Sequence, residues 1–407
     1  MTADGTGAGP GGQVAAPSGV ARPFTPSREP PAGLAARTVG RDELLASIER
    51  RLAAAARTGN RPHTLLVGPR GSGKTHVIEV VLHRLAGEAG FVVARVDEDA
   101  VGVASYADLL VELCRSAGVA ASAGRDAAAL EAALVASLDG RVLLAVIENL
   151  ARVFGGMGTA GQRDLRSFVE TSGQVVILAS TPQLFSGIGS RNEPWFGSFA
   201  VEHLEPLTVG EATELVASLA GGAGELARYL GTGRGRARVA ALHHLVGGWP
   251  RLWTIVAETA TPSPLDELVP VVEQLVEQFV PSFQQRLWSL PANEARLVRA
   301  LGTGPPAATV AELAAAAGLT ERTAATALGR LADGGWARGE KRAGADRRRT
   351  WYRLREPLLR LHFQYRGGGP LRETVEYVRD WFDPSATVPP VPPGGPEPEA
   401  AVRALLS

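Results

Sequence analysis

Cysteine is almost missing from this chain. Cys114 is the only one in 407 residues, which excludes an intrachain disulfide and makes a reducing cytoplasm the expected setting. Net charge of either sign is also missing: 42 Lys and Arg balance 42 Asp and Glu, so the whole-chain charge selects no acidic or basic partner. No apolar run approaches the roughly eighteen residues of a membrane span, and no basic-then-apolar leader pattern opens the sequence. The absence of an internal repeat excludes a solenoid. Met1 to Ala36 is Gly, Ala, Pro, Ser and Thr with few large apolar residues, which predicts a disordered tail. The 45% hydrophobic content is ordinary for a globular protein, and the length suffices for two or three cores.

What is present centres on His63 to Gly87. Thr64 to Val67 is a short apolar run of strand character, and Val77, Ile78, Val81, Leu82 and Leu85 follow at helical spacing. Between them Gly68-Pro69-Arg70-Gly71-Ser72-Gly73-Lys74-Thr75 satisfies the phosphate-loop pattern. Its chemistry needs these residue types. Backbone N–H groups close around a polyphosphate only where no Cβ intrudes, which Gly68, Gly71 and Gly73 allow. Lys74 then brings a cation to the phosphates, and the Thr75 hydroxyl is placed to ligate Mg²⁺. ATP and Mg²⁺ are the expected cofactors.

Around the loop, apolar runs alternate with helical patterns. Phe91 to Asp97, Val142 to Ile147, Val175 to Ala179 and Phe199 to Leu204 read as further strands. Helices are expected over Glu43 to Ala56, with Asp42 as cap, over Ser105 to Ala117 and Ala127 to Ser137, and around Arg163 to Thr171. This alternation predicts a parallel sheet covered on both faces, with ligand-contacting residues at the carboxyl ends of the strands. Glu148 stands at one such end and is a candidate Mg²⁺ carboxylate. Two registers are open. Glu148 takes the metal side with Asn149 in the place of a water-activating acid, or Glu148 is the base and Ile147 replaces the metal acid. Asn cannot take a proton, so slow or conditional hydrolysis is expected either way. Ser180 and Thr181 end the next strand, where they are placed to meet a γ-phosphate or attacking water. Thr181 before Pro182 is also a good helix N-cap.

From Thr208 the pattern is helical, with a capping box to Glu211. Gly247-Gly248-Trp249-Pro250-Arg251 ends one helix and starts another. Arg251 lies in that helix's first turn and reads either as a solvated helix residue or, because the dipole there does not favour a cation, as a phosphate contact. A charged and apolar stretch, Leu265 to Leu290, leads to Asn293 to Leu301, Thr309 to Ala317 and Glu321 to Asp333. Two strands follow, Trp336 to Lys341 and Arg348 to Arg353, completing a winged helix-turn-helix. Residues 292–366 hold fourteen Lys and Arg against seven Asp and Glu. Arg322, Thr323, Thr326 and Arg330 are expected to face a major groove, with Lys341, Arg342, Arg347, Arg348 and Arg349 on the wing against phosphates. A protein-docking winged helix is the alternative. Leu371 to Phe382 reads as an amphipathic helix, and the Pro-rich stretch beyond Asp383 as extended or disordered.

The predicted architecture is thus an α/β phosphate-loop core with a parallel sheet of about five strands, a helical lid and a C-terminal winged helix-turn-helix. The boundaries are a tail at 1–36, core at 37–206, lid at 207–262, connector at 263–291, winged helix at 292–366, and a C-terminal helix with Pro-rich tail at 367–407.

Six features together resemble a known group. They are Thr38-Val39-Gly40-Arg41, the phosphate loop, Glu148-Asn149, Ser180-Thr181, Gly247-Gly248-x-Pro250-Arg251 and the closing Tyr352-x-Leu354-Arg355-Glu356-Pro357-Leu358-Leu359-Arg360. Over about residues 38 to 366 the chain resembles the archaeal-type and origin-recognition initiator ATPases, at the border of AAA+ and STAND proteins. The resemblance implies Val39, Gly40 and Arg41 beside adenine, Ser180 or Thr181 as first sensor, and Arg251, after Pro250, as second sensor from the lid. Arg191 resembles an arginine finger serving a neighbouring subunit. Trp249 departs from the pattern where a small polar residue is usual, as does Asn149. The group implies an ATP-controlled switch on duplex DNA, with possible self-assembly through the core. The other function class is a signalling or defence scaffold that uses ATP to control assembly with a protein partner.

Overall fold

Short runs of aliphatic residues make the five strands of the core. In the computed structural model, which describes residues 26–58, 62–86, 90–98, 100, 102–120, 126–221, 224–341, 349–366 and 371–383, α1 (Pro31–Ala36) and α2 (Asp42–Thr58) lead into β1 (His63–Val67) and α3 (Lys74–Leu85). There follow β2 (Phe91–Val96), α4 (Tyr106–Ser116), α5 (Ala127–Ser137), β3 (Val142–Ile147), α6 (Leu150–Ser172), β4 (Val175–Thr181), α7 (Ser186–Gly189) and β5 (Phe199–His203). The sheet order is β2-β3-β4-β1-β5, parallel throughout. Because side chains alternate across a strand, Leu65 and Val67 join a core with α4, α5 and α6, while Leu66 joins Leu45, Ile48 and Ile78 on the face of α2 and α3.

Several local expectations are corrected. Pro31–Ala36 is helical and buries Leu34, so order begins before the expected end of the tail; its first 25 residues lie outside the described ones. Asp42 is the first helical residue of α2 rather than its cap. The helix expected around Arg163 starts at Leu150, with a non-helical Gly158 inside it; that glycine interrupted the apolar periodicity. The wing strands are shorter than expected, and the Pro-rich stretch lies outside the described residues.

Beyond the sheet come α8 (Val209–Leu219), α9 (Glu225–Leu230), α10 (Gly233–Val246), α11 (Pro250–Thr259), α12 (Pro262–Glu267) and α13 (Val269–Trp288). The winged unit is α14 (Ala292–Thr303), β6 (Ala308–Thr309), α15 (Val310–Ala317), α16 (Glu321–Asp333), β7 (Ala337–Glu340), β8 (Trp351–Leu354), α17 (Pro357–Arg366) and finally α18 (Leu371–Phe382). β6, unexpected from sequence, completes an antiparallel sheet of order β6-β8-β7. One hydrophobic cluster runs unbroken from Leu215 and Trp253 through Leu275 and Phe283 to Leu328, Leu358 and Val378. It crosses the expected boundaries near 263 and 292, so the lid, connector and winged helix share one core. Arg238 (2% exposed) ties it at the far end, donating to the Asp266 carbonyl at 2.8 Å and to Asp383 at 3.0 Å.

Two core histidines make this assembly sensitive to acid. The Ile177 N–H donates to His63 Nδ1 at 3.1 Å, a bond that requires a neutral imidazole, and burial lowers the His63 pKa to about 4. Burial, aided by Arg37 and Arg41, lowers His76 to about 4 as well. Both stay neutral in the folded chain while the unfolded chain takes up protons near pH 6.5. Stability is therefore lost as pH falls from 6.5 towards 4, by on the order of 3 kcal/mol per histidine. Thermal unfolding at pH 7 and pH 5 should show a fall in Tm. His63→Phe should be less stable at pH 7, because the Ile177 N–H loses its acceptor, but less sensitive to pH.

Candidate nucleotide site and winged-helix surface

The loop after β1 is fixed at both ends. The Gly68 N–H donates to the Thr181 carbonyl at 3.2 Å, anchoring the loop to β4, and α3 begins directly at Lys74. Gly71 and Gly73 have φ of +87° and +95°, left-handed values that strain any side chain. Ser72 is fully buried, its Oγ lacks a partner among the described residues, and it would lie 2.6 Å from a Cβ on Gly68. Lys74 Nζ donates to the carbonyls of Gly68 (2.7 Å) and Pro69 (3.1 Å). Burial lowers its pKa to about 8, against the opposing pull of Glu98 and Glu148.

Strand order carries the other groups to the same mouth. β4 lies between β3 and β1, so Ser180 and Thr181 sit between Glu148 and the loop. The Thr75 hydroxyl donates to Glu148 Oε2 at 2.5 Å. Burial raises the Glu148 pKa, opposed by that bond and by Arg95. Ile147 is wholly buried in the sheet core and cannot present a group to a ligand. The Asn149 N–H donates to Ser180 Oγ at 3.3 Å. Thr181 is the last residue of β4, paired with Val67, and its hydroxyl donates to the Gln183 carbonyl at 3.0 Å. It therefore caps no helix, which corrects the expected N-cap at Thr181-Pro182; the strand ladder claims the residue first.

On the lid side, α11 has no side-chain cap at Trp249. Its orphan Arg251 N–H donates instead to the Gly71 carbonyl at 3.2 Å. The Arg251 guanidinium lies over the Phe279 ring, 5.4 Å from its centroid. Arg41 donates to the Glu205 carbonyl at 2.7 Å, beside buried Val39 and Gly40 at φ +62°.

These groups surround one cavity of about 1040 Å³. Its lining includes Val39, Arg41, the whole loop from Gly68 to Thr75, Glu148, Asn149, Ser180, Thr181, Pro250 and Arg251. Arg191 is not in it and lies exposed before β5. The residues fit a polyphosphate with a divalent cation: a Cβ on Gly68 or Gly71 would crowd its neighbours, Lys74 donates among the described residues to main-chain carbonyls alone, and a hydroxyl and a carboxylate already meet at hydrogen-bond distance. Arg95, not expected at the site from sequence, joins Glu79 (2.7 Å) to Glu148 (3.4 Å); a lone charge within apolar Phe91–Val96 was its signal. Gln183, Trp336 and Arg355, equally unexpected there, line the cavity from the β4 loop and the winged helix.

On the winged helix, Arg322 and Thr326 are exposed on α16 and Thr323 is half-buried. Thr320 caps α16 by accepting from the Thr323 N–H, and the Thr326 hydroxyl donates to the Arg322 carbonyl at 3.0 Å. Arg330 Nε donates to Glu294 at 2.6 Å, a bond that ties α16 to α14. Lys341 and Arg349 are exposed, whereas Arg342, Arg347 and Arg348 lie outside the described residues.

Comparison with known proteins finds a match in each of two regions. Residues 37–185 match the family described as AAA ATPase domain, and residues 288–349 match the MarR family. The chain thus combines a phosphate-loop α/β core that matches the AAA ATPase domain, helical regions, and a winged helix that matches the MarR family. No curated protein matches it. Among solved structures it is similar to the Walker-type ATPase PABY2304 of Pyrococcus abyssi, at 13% identity and TM-score 0.56 over 80% of this chain and 96% of that one. Cdc6p from Pyrobaculum aerophilum is 14% identical at TM-score 0.44, over 84% and 93% of the two chains. Aeropyrum pernix Orc1, solved in complex with DNA, is 17% identical at 0.39, over 81% and 93%. At these identities the first likeness is one of fold.

Gly71 tests the junction between loop and lid. A Cβ there would lie 3.0 Å from the Arg251 Cβ, on a left-handed backbone. Gly71→Ala should lower stability by about 1–3 kcal/mol, read as a fall in Tm without nucleotide, whereas Gly118→Ala, also left-handed but facing open space, should show only the backbone part.

Proposed function

We propose that the chain is an ATP-controlled switch whose winged helix engages duplex DNA in one nucleotide state. One observation carries this reading: the phosphate loop and the winged helix line the same cavity, so a bound nucleotide and the position of the winged helix are not independent. Lys74 and the loop N–H groups would hold the phosphates, and Val39 to Arg41 the base. Thr75 and Glu148 would hold Mg²⁺, which when bound neutralises phosphate charge. Their mutual hydrogen bond favours the register with Glu148 on the metal side. Ser180 and Thr181 lie where a terminal phosphate would be read, and Arg251 would read it from the lid. Asn149 then stands where a base would act, so hydrolysis is slow. Exposed Arg191 is available to a neighbouring copy.

A second reading has its own support. Arg330 is paired with Glu294, and Arg338 and Arg353 with Glu340, which reduces the free positive charge for phosphates and suits a protein-docking winged helix. Anisotropy of labelled duplex DNA with ATP, ADP or neither separates the two. The switch predicts different affinities with ATP and ADP, lost in Lys74→Ala, and a salt-sensitive affinity lost when Arg347, Arg348 and Arg349 become Ala. Equal binding in all nucleotide states overturns it; no DNA binding despite ATP binding supports the scaffold.

A further inference from the structure

Six arginines line the nucleotide cavity: Arg37, Arg41, Arg70, Arg251, Arg286 and Arg355. Five have an electron-rich partner. Arg37 meets Glu258 at 3.3 Å, Arg41 the Glu205 carbonyl and Arg70 Glu98 at 3.7 Å. Arg251 lies over Phe279, and Arg286 donates to both oxygens of Glu356 at 2.7–2.8 Å. Arg355 is the exception: among the described residues its guanidinium has no hydrogen bond, ion pair or ring contact, although acidic side chains line the same cavity.

Its main chain, by contrast, is well fixed. The Arg355 N–H donates to the Trp336 carbonyl at 2.9 Å, and Trp336 is held under the Arg286 guanidinium, 4.4 Å from its ring centroid. The neighbouring turn sits against the ATPase core. A Cβ on Gly334 would lie 3.1 Å from Gln183 Oε1, in the loop that leaves Ser180 and Thr181. The winged helix thus faces the cavity on the side of the β4 terminus, the side proposed above to read a terminal phosphate.

We infer that Arg355 is a nucleotide ligand supplied by the winged helix, binding the terminal phosphate of a nucleoside triphosphate and so drawing the winged helix onto the ATPase core. The inference rests on the nucleotide site proposed above and adds a specific contact to it. A guanidinium presents a donor fork that matches phosphate oxygens. Because the contact is to the terminal phosphate, it distinguishes triphosphate from diphosphate, which a contact to the inner phosphates would not.

Calorimetric titration of the full chain with ATP and with ADP, each with Mg²⁺, tests it in wild type, Lys74→Ala, Arg355→Ala and Arg355→Lys. Arg355→Ala should bind ATP about tenfold more weakly with ADP affinity changed less than about twofold, and Arg355→Lys should lie between. Retained ADP binding is the control for folding. Unchanged ATP affinity in Arg355→Ala, while wild type binds ATP and Lys74→Ala does not, overturns the inference and leaves the nucleotide site standing. Equal losses for ATP and ADP also overturn it. If wild type binds neither nucleotide, the site and the inference fall together.

Discussion

A main-chain hydrogen bond, from the Arg251 N–H to the Gly71 carbonyl, joins the phosphate loop to the lid. Each end has a reason to need the other. α11 starts at Pro250 after a tryptophan that cannot cap it, so its first N–H groups look outside the helix for acceptors. Gly71 turns its carbonyl outward because its backbone is left-handed. The bond brings the positive end of a second helix to a loop that already opens at the N-terminus of α3, and anything that reshapes the loop is felt at the lid.

How far that influence extends is set by packing. The lid, connector and winged helix bury their apolar residues in one cluster, closed at one end by Arg238 with Asp266 and Asp383. Arg360 reinforces the winged helix by donating to the carbonyls of Leu301, Gly304 and Pro305, satisfying the end of α14. Close-packed interiors transmit displacement rather than absorbing it. Against the core, polar contacts hold the same body: Arg37 with Glu258, the Ser218 hydroxyl on the Ala36 carbonyl, and Arg251 with the Gly71 carbonyl. Val39 adds one apolar contact across the same junction, as a member of the lid cluster.

The local signals in the sequence were strong where one residue type satisfies one physical need. Glycine at left-handed positions, a Thr-Glu capping box and short continuous apolar runs located the phosphate loop, the starts of α8 and α15, and the strands of the parallel sheet. α5, α16 and α18 fall where the periodicity put them. Boundaries failed where tertiary partners decide: β4 runs on to Thr181 because β1 offers it a ladder, and α1 exists because Leu34 finds cover beside α3. The winged-helix contribution to the cavity was illegible for a stronger reason. Arg355 lies 281 positions from Lys74, and nothing local to either residue tells that the chain folds one over the other. Arg95 was legible only as an anomaly, a charge in an apolar strand whose partners, Glu79 and Glu148, come from two other elements.

The departure at Asn149 has a cause in the backbone. α6 begins at Leu150, immediately after Glu148-Asn149, so the chain turns from strand to helix within two residues. The turn places Asn149 at φ 57°, ψ 55°, a left-handed conformation that Asn tolerates and that costs most other L-residues about 1–2 kcal/mol. The Asn149 carbonyl accepts from the Arg152 and Val153 N–H groups while its own N–H is taken by Ser180, so the residue serves as a helix start and as a link between two strand ends. A glutamate there would bring a carboxylate to the cavity mouth at the expense of backbone strain, beside a buried Glu148 whose charge is already disfavoured by burial. The tight turn and the lone carboxylate at this strand end are therefore one feature: the backbone that starts α6 so abruptly is the reason an amide, and not a second acid, follows Glu148.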